Sequence, residues 1–207
     1  YKSSMSKTML NSFKNLSNEI KKKFKPKLFL EIGSNDGALI RNFNIKKSVC
    51  VEPCTNLAKI TKKKGYFTYA KYWNYNLSIE IKKKFNSVDV IYAANTLTHI
   101  ANLREVFRSI CNILSNEGVL IIEDPSLLEC IKQTSYDQFY NEHIYVFSSL
   151  AVRNIIKEFG LELFDIQKIS THGGSLRYFI KRTKNNQIKI SNKVSTQIDK
   201  EIKYGLD

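Results

Sequence analysis

The feature that most limits the fold is a rhythm. Five short apolar runs, at residues 28–33, 48–53, 66–70, 89–95 and 118–125, alternate with stretches of helical composition at 38–43, 56–65, 78–85 and 102–114. Strands covered on both faces read as near-continuous apolar runs, and parallel neighbours need a crossover between them. The rhythm therefore predicts an α/β fold with a mostly parallel sheet and helices on both faces. Ahead of it, Leu10, Phe13, Leu16, Ile20 and Phe24 recur at helical steps and predict an amphipathic helix over 4–24, ended by Lys25 and Pro26. Beyond Pro125 the pattern changes. A mixed aromatic and polar stretch runs to Phe147, and a helix over 148–160 is opened by Ser148 or Ser149 and closed by Gly160. Runs at 161–170 and 175–182 predict an antiparallel pair around "THGG". Residues 184–207 are polar, helical in composition and short of an apolar face, like the start of an element that the chain does not finish.

At 207 residues and 43% hydrophobic, the chain is sized for one core with an appendage. No apolar run approaches the roughly 20 residues of a membrane span, and the first residues lack the order of a signal peptide, so the expected compartment is the cytoplasm. Cys50, Cys54, Cys111 and Cys130 are scattered without a CxxC pair, which predicts reduced thiols, no disulfide framework and no metal site. A net charge of +14 raises the question of a nucleic-acid partner. The lysines, however, sit in short runs at 21–23, 46–47, 62–64 and 82–84, where cations suit helix C-termini. That distribution argues for solvated faces and a general compositional bias instead.

The segment "EIGSNDG", residues 31–37, ends the first strand and is expected to open a helix. Gly33 permits a tight turn, Gly37 permits close packing, and free N–H groups would face a ligand. Asn35 replaces the middle glycine of a dinucleotide loop, and Asp36 adds negative charge, which suits a cationic or hydroxylated ligand better than a pyrophosphate. Glu52 stands nineteen residues after Gly33, at the tip of the second strand, where an acid can accept both ribose hydroxyls. Alone, each element is equally an ordinary strand-end turn or an exposed acid. Together they imply an adenosine ligand without phosphates.

This combination resembles the class I S-adenosylmethionine-dependent methyltransferases, whose first motif is E/D-x-G-x-x-x-G. The resemblance implies a Rossmann-like, seven-stranded sheet with an antiparallel last strand and S-adenosyl-L-methionine as cofactor. It places the cofactor near Glu31, Gly33, Asn35, Asp36 and Gly37, its ribose at Glu52, and its reacting side at Asn95 with Leu97. Where the family often has an acid near adenine, this chain has Lys71, Tyr72 and Trp73, and an aromatic contact from Tyr72 is expected instead.

The segments at 90–100, 123–127, 134–148 and 172–180 together resemble sugar C-methyltransferases acting on nucleotide-linked 4-ketosugars. The resemblance spans essentially the whole chain and implies a nucleotide-diphosphate sugar as substrate. Its active site falls on Tyr1, His99, Tyr140, Glu142 and His143. Such enzymes carry a zinc-binding module upstream and another α/β domain downstream, so the chain is expected to be the central part of a longer protein. Its parts would be a helical segment at 1–25, the methyltransferase domain at 26–183 and the start of a helical extension at 184–207, in a monomer or weak dimer.

The residue types suit the chemistry. Methylating carbon needs a carbanion equivalent, which a ketosugar supplies when a base removes the proton beside its carbonyl. His143, with an ordinary pKa near 6.5, is a suitable base. His99 or Tyr140 could donate to the enolate oxygen. Glu142, adjacent in sequence to His143, points elsewhere and suits a sugar hydroxyl or amine. His172, Ser175 and Arg177 are candidates for the substrate's diphosphate, although "THGG" also reads as a simple turn and His99 as a helix cap. An O- or N-methyltransferase on a small substrate needs only the base. A catalytically silent scaffold or a basic nucleic-acid-binding module needs none of these groups, and the latter would show binding that falls steeply with salt.

Overall fold

Leu30, Val49, Cys50, Val90, Ile91 and Tyr92 are all fully buried, as parallel strands covered on both faces require. They lie on three of seven strands in a computed structural model that describes residues 2–169 and 174–207. The strands are β1 (Phe29–Ile32), β2 (Ser48–Val51), β3 (Phe67–Tyr69), β4 (Val88–Ala94), β5 (Leu114–Pro125), β6 (Leu161–Ile169) and β7 (Ser175–Arg182). The helices are α1 (Lys7–Phe24), α2 (Thr55–Lys63), α3 (Tyr75–Phe85), α4 (Leu103–Ile113), α5 (Leu127–Lys132), α6 (Ser149–Lys157) and α7 (Asn192–Lys203). The sheet order is β3-β2-β1-β4-β5-β7-β6. β1 runs parallel to β2 and β4, and β2 to β3, while β7 is antiparallel to both β5 and β6. This is the α/β arrangement that the rhythm of the chain predicts, in the Rossmann-like seven-stranded form that the resemblance implies. Among the described residues, no helix is long and apolar enough to cross a membrane.

Two compact units divide the chain. The first comprises Tyr1–Ala93 and Ser109–Gly118. In it, α1 buries Met9, Phe13, Leu16 and Ile20, and begins at Lys7 instead of residue 4 because Ser6 caps it by accepting the Met9 N–H. Ser3–Met5 form a separate 3-10 turn. Lys25, left-handed at φ 44°, ends the helix before Pro26.

The helix expected over 38–43 is absent. Ala38, Leu39, Ile40 and Phe43 are all buried, which leaves no continuous solvent face for an amphipathic helix. One α-type bond, from Arg41 N–H to Gly37 O, gives way to the tighter bonds Asn42 N–H to Leu39 O and Phe43 N–H to Ile40 O. Asn44 then starts another turn by accepting the Lys46 N–H. Short 3-10 turns at Ile40–Asn42 and Ile45–Lys47 fill the connection.

The second unit comprises Ala94–Arg108 and Val119–Asp207. Ser148 caps α6 by accepting the Ala151 N–H, and Gly160, at φ 67°, follows the helix. A bulge between Leu163 and Asp165 interrupts the β6–β7 ladder. Within 184–207, α7 has more of a buried face than its composition suggests: it is capped by Ser191 and buries Val194, Ile198 and Glu201. Glu201 accepts the Leu150 N–H at the start of α6 and the Gln197 side-chain amide, so a carboxylate joins two apolar residues on the buried face.

Cross-strand register also aligns Glu123 on β5, Arg177 on β7 and Gln167 on β6. Arg177 donates Nε and Nη2 to Glu123 Oε2, at 3.0 and 2.8 Å, and Nη1 to Gln167 Oε1 at 3.1 Å. Both charges are nearly solvent-free. Arg177→Met, which takes the guanidinium away from the buried Glu123 carboxylate, is expected to cost about 3–5 kcal/mol of stability in urea unfolding. Adding Glu123→Gln should recover most of that loss.

Candidate active site

The carboxyl end of β1 leaves the sheet through three left-handed residues, Gly33 at φ 71°, Asn35 at φ 50° and Gly37 at φ 81°. The N–H groups of Gly33 and Ser34 both donate to Val51 O, which ties the loop to β2. Glu52, one residue on, is buried and accepts the Asn35 N–H on Oε2 and the Cys54 N–H on Oε1, at 2.7 and 2.9 Å. One carboxylate therefore fixes both the glycine loop and the entry to α2. Each of its oxygens keeps lone-pair capacity for a hydroxyl.

Two polar atoms at this loop are buried without a partner, Glu31 Oε2 and Ser34 Oγ. Burial pushes the Glu31 carboxyl well above its usual range, the Ile40 N–H draws it back, and the charges of Glu52 and Asp36 add to the rise. An orphaned buried acceptor costs about 1–3 kcal/mol unless a ligand or water completes it. S-adenosylmethionine, with an ammonium group and two ribose hydroxyls, brings the donors that Glu31, Ser34 and Glu52 lack, so these residues fit it.

Asn35 and Asp36 also serve the chain itself. Asn35 Oδ1 accepts the Ser3 N–H and the Asp36 N–H, and the Asp36 carboxylate accepts both the N–H and the hydroxyl of Ser4. The segment before α1 thus takes the Asp36 charge that the sequence reading gave to the ligand. No spacing rule links residues 3–4 to 35–36, so this pairing had no sequence signal. Gly37 meets α2: a Cβ there would lie 2.9 Å from Thr61 Cγ2. Beyond β3, Tyr72 is 77% exposed, which leaves its ring open to a flat ligand, while Trp73 is buried.

In the second unit, Asn95 is left-handed at φ 45° and donates its N–H to Glu123 O. A 3-10 turn, Leu97–His99, follows, with Leu97 buried and His99 exposed. The turn receives the irregular stretch after α5. Thr98 O accepts the N–H groups of Ile144 and Tyr145, and Thr98 Oγ1 donates to Tyr145 O. Tyr145 Oη donates to Ala101 O.

These bonds bring together four of the five residues named for the active site. His99 Nδ1 lies 2.7 Å from Glu142 O, and His143 Nδ1 lies 2.8 Å from Gln138 O. A carbonyl only accepts, so Nδ1 carries the proton in both neutral imidazoles, leaving each Nε2 as the basic atom. Tyr140 Oη is 2.9 Å from His143 Nε2 and donates to it. The Tyr140 and His143 rings are 4.1 Å apart, and those of His99 and His143 are 4.9 Å apart. Burial, then the nearby Glu142 charge, raises the Tyr140 phenol, which keeps it a donor. Glu142 contributes its backbone carbonyl to His99, while its side chain is exposed. Neutral His99 thus offers an acceptor at Nε2, which leaves Tyr140 as the donor of the two alternatives.

The substrate-side candidates separate. Arg177 is committed to Glu123 and Gln167, and Ser175 is wholly buried where β7 begins, so neither presents a side chain to a diphosphate. His172 and Tyr1 lie outside the described residues.

A family described as a methyltransferase domain matches residues 1–166. C-methyltransferase NovU of Streptomyces niveus is 28% identical over 154 residues, covering 73% of this chain and 37% of its own length. This chain therefore spans a little over a third of that relative. Among solved structures, an S-adenosylmethionine-dependent methyltransferase from Clostridium acetobutylicum superposes with a TM-score of 0.63 at 14% identity, covering 84% of this chain and 92% of its own. Magnesium protoporphyrin IX methyltransferase of Synechocystis, with bound SAH, gives 0.58 at 12% identity, with coverages of 84% and 83%. These likenesses are to the fold.

Two outcomes are expected at the loop. Gly37→Ala combines a left-handed backbone with a close approach to Thr61 and should lower stability by about 1–3 kcal/mol in urea unfolding. Glu31 has a folded pKa above its unfolded value of about 4.3, so its contribution to stability is full below that pH and declines as pH rises toward the folded pKa. Glu31→Gln should remove that decline from the pH–stability profile of the cofactor-free protein.

Proposed function

The chain belongs to the methyltransferase domain family, with S-adenosylmethionine as cofactor, and from that premise we propose that it methylates carbon, on the atom beside the ketone of a nucleotide-diphosphate 4-keto-deoxysugar. Residues 26–183 form the catalytic domain in this reading. The observation that carries it is the Tyr140–His143 pair, a neutral donor bonded to a basic nitrogen whose ring is held by Gln138 O. O- and N-methylation need a base alone. Methylation at carbon also needs a donor for the enolate oxygen, and this pair supplies both. The similarity to NovU, a C-methyltransferase, points the same way.

The steps follow from the chain's own groups. A ketone oxygen entering the pair takes the Tyr140 hydroxyl as its donor, which frees His143 Nε2. Nε2 then removes the neighbouring C–H proton, and the electron pair moves onto the oxygen held by Tyr140. S-adenosylmethionine, when bound, would supply the electrophilic methyl group that the carbanion takes. Glu31 and Ser34 would hold the ammonium end, Glu52 the ribose, and Tyr72 the adenine. His99, its Nδ1–H spent on Glu142 O, offers Nε2 to a sugar hydroxyl, and Glu142 offers its carboxylate to a second hydroxyl or amine.

Proton exchange tests the reading directly. With S-adenosylhomocysteine present in deuterated water, His143→Ala should slow exchange of the ketosugar α-proton by about 10²- to 10⁴-fold. Affinity for S-adenosylhomocysteine, measured by calorimetry, should be unchanged. Exchange at the wild-type rate would remove His143 as the base. Failure of every nucleotide 4-ketosugar to raise the melting temperature would remove the substrate class.

A further inference from the structure

Lysine runs that are far apart in sequence meet at one edge of the first unit. β1, β2, β3 and β4 are parallel neighbours, so their amino ends lie side by side at a spacing of about 4.8 Å. Lys25 and Lys27 precede β1, Lys46 and Lys47 precede β2, the run 62–64 precedes β3 and the run 82–84 precedes β4. All of these lysines are exposed. Most of the net charge of +14 belongs to the first unit. The negative ends of α1, α2 and α3 account for the cations inside those helices. They do not account for Lys27, Lys46 and Lys47, which belong to none of them.

A pocket of about 310 Å³ opens among these lysines, at the end of β1 opposite the glycine loop. Pro26, Phe29 and Phe43 give it an apolar wall, Lys21, Lys25 and Lys47 also line it, and no carboxylate does. The two phenylalanine rings stack at 3.9 Å, and Lys21 Nζ stands 5.4 Å from the centroid of Phe43. Among the described residues, none of the three lysines is in an ion pair. Two neighbouring acids are committed elsewhere, Glu19 to Lys23 and Asp89 to the N–H groups of Lys27 and Leu28. Three cations thus surround an apolar recess without a counter-charge, and their mutual repulsion is relieved by an anionic partner.

We propose that this edge docks an acidic protein segment, with carboxylates on the lysines and one apolar side chain in the pocket beside Phe43. The recess selects that partner over a nucleic acid. A phosphate backbone would use the lysines alone, and unpaired bases need exposed rings to stack on. Here Phe29 and Phe43 are buried, and Lys84 Nζ covers the Phe67 ring at 3.6 Å. The edge lies away from the glycine loop, so docking leaves the cofactor's place open.

Fluorescence anisotropy with the whole chain tests the proposal, using a labelled peptide that has a central phenylalanine between two runs of glutamate. A second peptide carries alanine at the centre, and a labelled oligothymidylate matches their charge. The phenylalanine peptide should bind about 10-fold more tightly than the alanine peptide, the scale of burying one ring, and both should weaken as salt is raised. Lys21→Glu combined with Lys47→Glu should weaken the phenylalanine peptide by about 10-fold or more. Both lysines are exposed, so the melting temperature and the affinity for S-adenosylhomocysteine should hold. Lys62→Glu combined with Lys63→Glu, away from the pocket, should weaken both peptides alike. Equal affinity for the two peptides, or unchanged binding after reversal of Lys21 and Lys47, overturns the proposal. So does tighter binding of oligothymidylate than of the phenylalanine peptide, which would make the edge a nucleic-acid surface, or binding of neither peptide at low salt.

Discussion

A stretch of backbone with neither helical nor strand periodicity still has to satisfy its N–H and C=O groups, and in the second unit Thr98 does so for residues 144–145. Its carbonyl takes two amides and its hydroxyl serves a carbonyl, so one residue replaces a short piece of ladder. The aromatic stretch can then be shaped by side-chain chemistry instead of by a repeating pattern. Tyr136, Phe139 and Ile144 remain exposed, an arrangement a core element would not tolerate and a ligand-facing wall can use. The His99 turn is thus both a carrier of a functional group and the frame for its neighbours.

Both histidines solve one problem in the same way. An imidazole is useful as a base or acceptor only when its tautomer is fixed, and a backbone carbonyl at Nδ1 fixes it without adding a second titrating group. Gln138 O and Glu142 O do this here. A carboxylate orienter would have added charge beside Tyr140, whose phenol must keep its proton to act as a donor. The glycine loop uses the opposite device: a carboxylate, Glu52, takes the two amides of Asn35 and Cys54 itself.

Much of the fold was legible because burial on two faces writes continuous apolar runs, and caps such as Ser148 mark helix starts by residue type. The helix expected over 38–43 failed because periodicity cannot tell a buried connection from an amphipathic face when Ala38, Leu39 and Ile40 are all inside. α7 was underrated because a hydropathy count treats Glu201 as a surface residue, whereas its carboxylate is a buried helix partner. In the site, a strand-end position singled out Glu52, whereas His99, Tyr140 and His143 were named through the family resemblance and not through any local pattern. Sequence could not say that Arg177 is spent on Glu123, because that pairing depends on register across three strands. Backbone carbonyls and the Ser4–Asp36 contact are equally silent, since any residue supplies a carbonyl and long-range contacts leave no local period.

The bulge in β6 has a consequence beyond local geometry. β6 is the outermost strand on its side of the sheet, and an outermost strand with free carbonyls and amides is a template for another chain. Here the ladder slips at Phe164, and the Phe164 carbonyl accepts the Ser191 N–H just ahead of α7. Lys168 adds a cation that reaches Glu129. Irregular pairing, a covered carbonyl and charge together make this border a poor template for a further strand, and the chain just ahead of α7 supplies part of that cover.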